Sequence, residues 1–531
     1  MPLVPLLPRA GLALALVAVQ TPAPSPTASP APVLWHDVTA ETIGETAQWT
    51  NKVEIADING DGRPDLLFAN GGKYSEAGPP EPNLVFINNG PGRPFTNRTE
   101  AVFGPTPDIA RVIKARDFNG DGIVDIIVGT TFQTQSRLYL GTGGGAFREV
   151  TATHLPQMPL SVGDIEVGDV DGDGDLDLVL ADWGRGHNMT NAGGRTRLWL
   201  NDGTGHFTDV TATQMPETLI RFSWDLEFVD VDNDADLDIV VSCKRCGGGS
   251  LFKNDGAGKF TEDPRGLPQY TNNYEYEPMD LDGDGFLDLI TLNDGEIVHE
   301  DSSDRREHVL RNDGKGRFRD ATAQWWSSEA NIGEDDNMVA FLDYDSDGDA
   351  DVVIGSLSGP DRLLINDGKG HLSLRSNVFD GPETPGTLGI ALADLDGDGR
   401  MDAVQAQGEH PTAVSERVYF GLGLKPDTAP PSISMISVAP SKAPATGSVV
   451  RARVHDHKSP SLATDWKSVA VEWTVGQKTL SAPMRWYGEY LWRADLPASL
   501  APGAPFRVCA TDAASNRACE PHGPTEPKAT R

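Results

Sequence analysis

Asp169-Val170-Asp171-Gly172-Asp173-Gly174-Asp175-Leu176-Asp177 sets carboxylates at its first, third, fifth and ninth positions, with glycines at the fourth and sixth. An apolar run, Leu178 to Leu180, follows at once, so the spacing predicts a loop between two β-strands. A hard dication such as Ca²⁺ takes six to eight oxygens at roughly 2.3–2.6 Å. Alternate residues of one tight loop converge on a point only where the intervening residues accept unusual φ, which glycine does.

The pattern occurs seven times. The ligand positions are Asp57, Asn59, Asp61 and Asp65; Asp117, Asn119, Asp121 and Asp125; Asp169, Asp171, Asp173 and Asp177; and Asp230, Asp232, Asp234 and Asp238. Then come Asp280, Asp282, Asp284 and Asp288; Asp343, Asp345, Asp347 and Asp351; and Asp394, Asp396, Asp398 and Asp402. The starts lie 60, 52, 61, 50, 63 and 51 residues apart, which is a repeat and not a coincidence of turns. An EF-hand loop begins the same way but ends in Glu at position twelve. Here that position holds Phe68, Val128, Leu180 and Val241, and the flanks read as strands.

The formal charge is −34, and 26 aspartates occupy ligand positions. Seven bound Ca²⁺ would bring the charge to about −20. The acidity is therefore assigned to structural calcium, up to seven ions, and gives no sign of nucleic-acid binding.

The repeats share one layout: a strand into the loop, a strand out, a variable connection, a third strand, a turn that is most often Asn-Asp-Gly, and a fourth strand in all but the last. The fourth strands are read as Phe147 to Thr151, Phe207 to Thr211 and Phe318 to Thr322. Four antiparallel strands every 50–60 residues describe propeller blades, so the fold class is an all-β seven-bladed propeller. The seventh repeat lacks a fourth strand before Lys425 to Pro431. Trp35-His36-Asp37-Val38-Thr39-Ala40 matches Phe207 to Ala212 and is predicted to complete that last blade, removing an exposed edge.

Residues 33–425 thus resemble the FG-GAP/VCBS repeats of integrin alpha-chain propellers, cartilage-acidic-protein-like proteins and several fungal and bacterial lectins and lyases. The seven DxDGDGxxD loops and the NDGxGxFxDVT hairpins carry the resemblance. It implies Ca²⁺ on one rim and ligand binding on the opposite face. The FG…GAP wording is nearly absent, although Phe103-Gly104 stands, and loop four has Asn233 and Ala235 where glycine is usual, implying a weaker metal.

Residues 1–20, with Arg9 before an apolar run, read as a signal peptide, and 21–32 as a Pro-rich linker. Residues 430–520 read as a small Ig-like β-sandwich with Trp473, Trp486 and Trp492 in its core, and 521–531 as a disordered tail. In an exported chain the four cysteines suggest disulfides: Cys509–Cys519 across a hairpin, and Cys243–Cys246, a CxxC read as a loop lock in preference to a redox pair because no thioredoxin-like βαβ context surrounds it. The expected location is secreted, periplasmic or cell-surface, without a transmembrane segment, and the chain is read as a monomer.

Candidate ligand residues come from two places. The connections of the opposite face carry Trp183, His187 and Asn188, Cys243 to Cys246, Tyr270, Tyr274 and Tyr276, His299, Trp325-Trp326 and Glu334 to Asn337. Five and three residues before three loops stand Asp164/Glu166, Asp225/Glu227 and Glu275/Glu277, alternating along the innermost strands to line the channel mouth. Lys52/Glu54 and Val112/Lys114 hold those places in the first two repeats. These acids are read as a salt-bridged channel, as a cation or polyol site, or as an acid–base pair. No nucleophile elbow, zinc-protease motif or phosphate loop is present. The expected function is calcium-dependent adhesion or recognition of a glycan or extracellular protein. The alternative is a polysaccharide lyase or dehydratase using the acidic mouth with His187 or His299.

Overall fold

Each repeat becomes a four-stranded antiparallel sheet in the computed structural model, which describes residues 32–293, 307–381, 386–409, 414–440, 447–496 and 504–523. The expected leader, the linker through residue 31, His299 and the tail from 524 lie outside the described residues. In the third repeat, strands Val162–Gly168, Asp177–Asp182, Thr196–Asn201 and Phe207–Asp209 pair in sequence order. Six sheets run this way. The seventh joins Thr387–Ala393, Asp402–Gln407 and Arg417–Phe420 to His36–Asp37, in register His36↔Phe420 and Asp37↔Tyr419. Trp35, fully buried, stacks on Phe379 beside this junction.

The first strands stand side by side in a ring. Thr50–Ala56 touches both Ala110–Arg116 and Thr387–Ala393, and each remaining first strand touches the ones before and after it. Second strands such as Asp177–Asp182 are buried along their whole length, so they read as continuous apolar runs rather than alternating ones.

One expectation needs correcting. The fourth strands stop at Glu149, Asp209 and Asp320, and Thr151–His154, Thr211–Gln214 and Thr322–Trp325 are short helices. The cause is local. The Thr211 N–H donates to Asp209 Oδ1 at 2.9 Å, while Thr211 Oγ1 accepts the Leu198 N–H of the third strand at 3.0 Å. These bonds turn the backbone out of the ladder. The Asp-Val-Thr signature is thus a strand stop.

Two more four-stranded sheets follow: Ser432–Pro440, Ser448–His455, Leu491–Leu496 and Arg485–Gly488, then Lys478–Pro483, Trp466–Val475, Phe506–Asp512 and Arg517–His522. They share a core that includes Val450, Val471, Trp473 and Trp492, with Trp486 partly buried against it. A tail beginning at 521 is too early, because Pro521 and His522 pair with Arg507 and Phe506. Both disulfides are present. Cys509–Cys519 joins opposed residues of a hairpin, and Cys243–Cys246 closes the loop after Asp238–Val241.

Candidate functional site

The aspartate loops are built by their own backbone. In the first, Asp57 Oδ1 accepts the Gly60 and Asp61 N–H groups at 2.8 and 3.0 Å, and Oδ2 accepts that of Gly62 at 2.7 Å. The closing aspartate ties the loop to the sheet: Asp177 accepts N–H bonds from Asn201 (2.8 Å) and Val170 (3.1 Å). These bonds turn the carboxylates inward. Oxygens of Asp169, Asp171 and Asp177 lie within 4.8 Å of one another, as do those of Asp230, Asp232 and Asp234, of Asp280, Asp282 and Asp288, and of Asp343, Asp345 and Asp347. Burial, with Asp171 and Asp169 alongside, pushes the Asp177 carboxyl up to about 9. Burial raises Asp351 to about 9 and Asp402 to about 8. An all-oxygen donor set that is uncomfortable as a cluster of bare anions fits a hard cation.

The second module sits on this rim. Arg453 donates to Asp230 Oδ2 (3.2 Å), Asn233 Oδ1 (2.8 Å) and Gly285 O (2.9 Å), joining loops four and five. Arg493 donates to Asp169 Oδ2 and Gly172 O, both at 2.9 Å, in loop three. Tyr487 accepts the Asp169 N–H at 2.8 Å and donates its hydroxyl to Ala235 O at 2.8 Å. On the other side the Asp427 N–H reaches Gly399 O at 2.8 Å in loop seven, and Thr428 meets Ser346 in loop six. The described residues of the second module leave loops one and two uncovered.

There the two modules part into a cleft of about 1060 Å³. One wall carries Asp57, Asn59, Gly60, Asp117 and Ile123, and the other Leu462, Trp466, Lys467, Pro483, Met484 and Trp486. Trp466 donates its indole N–H to Ser461 (3.1 Å) and Trp486 donates its own to Glu489 O (2.6 Å), so both rings turn apolar surface to the cleft. The Arg116 guanidinium lies 5.2 Å from the Trp486 ring.

Below the module lies a chamber of about 100 Å³ on the ring axis. Asp164, Glu166, Glu227 and Glu277 line it with Lys52, Glu54, Lys114 and Arg116, and Ser459, Glu489 and Tyr490 roof it. Lys52 Nζ stands 3.6 Å from Asp164 and from Asp225, Lys114 pairs with Glu166, and Arg116 pairs with Glu54 at 2.6 Å. Burial opposes the charge on Lys52, but Asp164 and Asp225 outweigh it and raise its pKa. Burial, then Glu275, pushes Glu277 up to about 8, and burial with Glu166 and Glu277 nearby raises Glu227 strongly. The channel acids are thus brought together, but under a roof rather than at an open mouth.

The opposite face is where the expectations fail. Trp183 is 1% exposed and packs edge-on to Phe222 and Phe132. Tyr274, Tyr276 and Trp326 are equally buried, and Trp325 nearly so. Trp224 carries the Arg111 guanidinium 3.2 Å above its ring, and Lys244 sits 3.5 Å over Tyr274. These side chains fill the space between neighbouring sheets, where large flat rings gain more from burial than on a surface. Asp336 forms a buried ion pair with Arg362. His187 stays exposed, and Asn188 is buried with its amide on Tyr74 O at 2.7 Å. Sequence reading placed Trp486 in the sandwich core and passed over Trp466, Arg453 and Arg493; the arginines of Arg451-Ala452-Arg453 and the basic and aromatic run from Arg485 to Arg493 are the only signal for Trp486, Arg453 and Arg493.

A model of the FG-GAP-like repeat matches residues 57–128, 117–180, 189–241 and 343–404. No curated protein matches the chain. Among solved structures it is similar to Penicillium chrysogenum alpha-L-arabinanase complexed with arabinobiose, at 11% identity over 73% of this chain and 97% of that one, with a TM-score of 0.35. A thermostable family-43 glycoside hydrolase matches at 11% identity over 50% of this chain and 93% of that one, with a TM-score of 0.28. The Photorhabdus luminescens Tc holotoxin pore matches at 14% identity over 88% of this chain and 20% of that one, with a TM-score of 0.30. The chain carries FG-GAP-like repeats, folded as successive propeller-like four-stranded sheets.

Proposed function

We propose that this is a secreted, periplasmic or surface-held recognition protein: a seven-bladed propeller whose rim loops hold up to seven structural Ca²⁺, bearing an Ig-like sandwich, with a glycan bound between them. The observation that carries the reading is the cleft of about 1060 Å³ over loops one and two. Its size suits a short oligosaccharide. Sugar rings stack their C–H faces on aromatic planes, and Trp466 and Trp486 offer such planes with their polar atoms tied back. Asn59, Ser468, Lys467 and Ser481 supply hydrogen-bonding groups at the edge. Two disulfides fit an oxidising compartment. Among the described residues no helix is long and apolar enough to cross a membrane.

The test is a glycan array on the full chain in Ca²⁺, followed by titration of a hit against Trp486→Ala. The expected result is saturable binding without product release, weakened at least tenfold by the substitution. Turnover of the bound glycan would favour a lyase instead, and an array with no hit would sink the glycan reading.

A further inference from the structure

The axial chamber holds a charge imbalance that the rim loops do not explain. Arg116 answers Glu54, Lys114 answers Glu166, and the single ammonium of Lys52 is shared between Asp164 and Asp225. No ion pair among the described residues reaches Glu227, Glu275 or Glu277. Buried carboxylates persist only with a counter-charge or a proton. Two further oxygens point the same way. Glu275 Oε2, on a residue 2% exposed, accepts no hydrogen bond, and Asp225 Oδ1, on a residue 1% exposed, meets only the shared Lys52 ammonium at 3.6 Å. Oxygens of the Asp164 and Asp225 carboxyls, from neighbouring sheets, lie within 4.8 Å of each other with one shared ammonium between two anions.

We propose that Asp164 and Glu227, which line this chamber, and the adjoining Asp225 hold one divalent cation at its edge. Oxygens of these three lie within 4.8 Å of one another, the span of ligands around a single ion at roughly 2.3–2.6 Å. All the donors are carboxylate oxygens, which select Ca²⁺, Mg²⁺ or Mn²⁺ over metals that prefer nitrogen or sulfur. A space of about 100 Å³ admits the ion and two or three waters at about 30 Å³ each. The ligands come from neighbouring sheets, so the ion cross-links the inner ring directly. Lys52 fixes the outer edge of the site and keeps Asp164 ionised. The site is independent of the rim loops, because Asp164 and Glu227 belong to first strands and Asp225 directly precedes one.

The experiment uses the full chain and Mn²⁺ as the probe. Crystals soaked in Mn²⁺ and measured at its absorption edge are expected to show an anomalous peak between Asp164, Asp225 and Glu227. In solution, elemental analysis after dialysis is expected to find one ion per chain fewer in Asp225→Asn/Glu227→Gln than in the parent. Those amides relieve repulsion, so folding is expected to survive, checked by circular dichroism. An equal ion count in the two folded proteins would overturn the proposal. If the variant does not fold, the crystal decides alone: no peak in the chamber means protons, not a cation, neutralise these acids.

Discussion

Loops two and four share one motif and meet different fates. Loop two keeps glycine at its fourth and sixth positions, and Gly120, Asp121 and Gly122 face solvent. In loop four the same places hold Asn233 and Ala235, at φ +59° and +70°, in the left-handed region that side chains resist. That strain persists because the sandwich holds the loop: Arg453 binds the Asn233 side chain, and Tyr487 binds Ala235 O. The comparison teaches that one aspartate loop serves two ends on one scaffold. Loops three to five anchor a second module, while loops one and two stay open to form a cleft wall.

The broadest way to break this contrast is to remove the ions. If seven sites each contribute roughly 1.4 kcal/mol at tenfold excess over Kd, chelation with EDTA is expected to lower the melting temperature by at least about 10 °C, reversibly on adding Ca²⁺. An unchanged melting curve would remove calcium from the account. Next comes Arg453→Ala against Arg63→Ala. Arg453 and Asp230 have side chains 1% and 0% exposed, so losing the arginine strands a buried carboxylate, and urea unfolding is expected to show a loss of about 3 kcal/mol. Arg63 pairs with Asp61 on the exposed loop one, where the loss is expected to stay below about 1 kcal/mol. Equal losses would erase the distinction between covered and open loops.

The pH response in chelator sharpens it further. Burial pushes the Asp177 carboxyl up to about 9 and that of Asp65 up to about 7, both above their value of 3.8 in the unfolded chain. Between those limits the folded state holds more protons than the unfolded one, so stability falls as pH rises from about 4, through 7 for Asp65 and toward 9 for Asp177. Melting in EDTA is expected to drop steadily from pH 5 to pH 8, and in excess Ca²⁺ this drop is expected to vanish because the ion holds the carboxylates ionised. The smallest effect is a reciprocal pair. Ala235→Gly is expected to stabilise by about 1 kcal/mol and Gly122→Ala to destabilise by a similar amount, since Gly122 sits at φ +82° with open space beside it. Gain and loss of the same sign would show that the sandwich has reshaped loop four beyond strain.

Strand and loop order was legible because both depend on neighbours in sequence. Alternating aspartates, the Asn-Asp-Gly hairpins and the match between Trp35–Ala40 and Phe207–Ala212 each report a local geometry that backbone sterics impose. The short helices after the fourth strands were missed, although Asp209 and Thr211 carry the signal, because Phe-Thr-Asp-Val-Thr has strand-like composition. Trp183 and Tyr274 were misplaced for a different reason: an aromatic beside polar residues reads alike whether it faces a ligand or the next sheet.

What the sequence determined by itself is the unit: four strands, one carboxylate loop, repeated until the chain meets its own beginning. What only the tertiary structure decided is which rim is covered and where space remains. Arg453 and Asp230 are 223 residues apart, and nothing local to either one announces the other. Their pairing follows from two modules docking shape to shape and charge to charge, and such docking depends on surfaces that exist only after each module has folded.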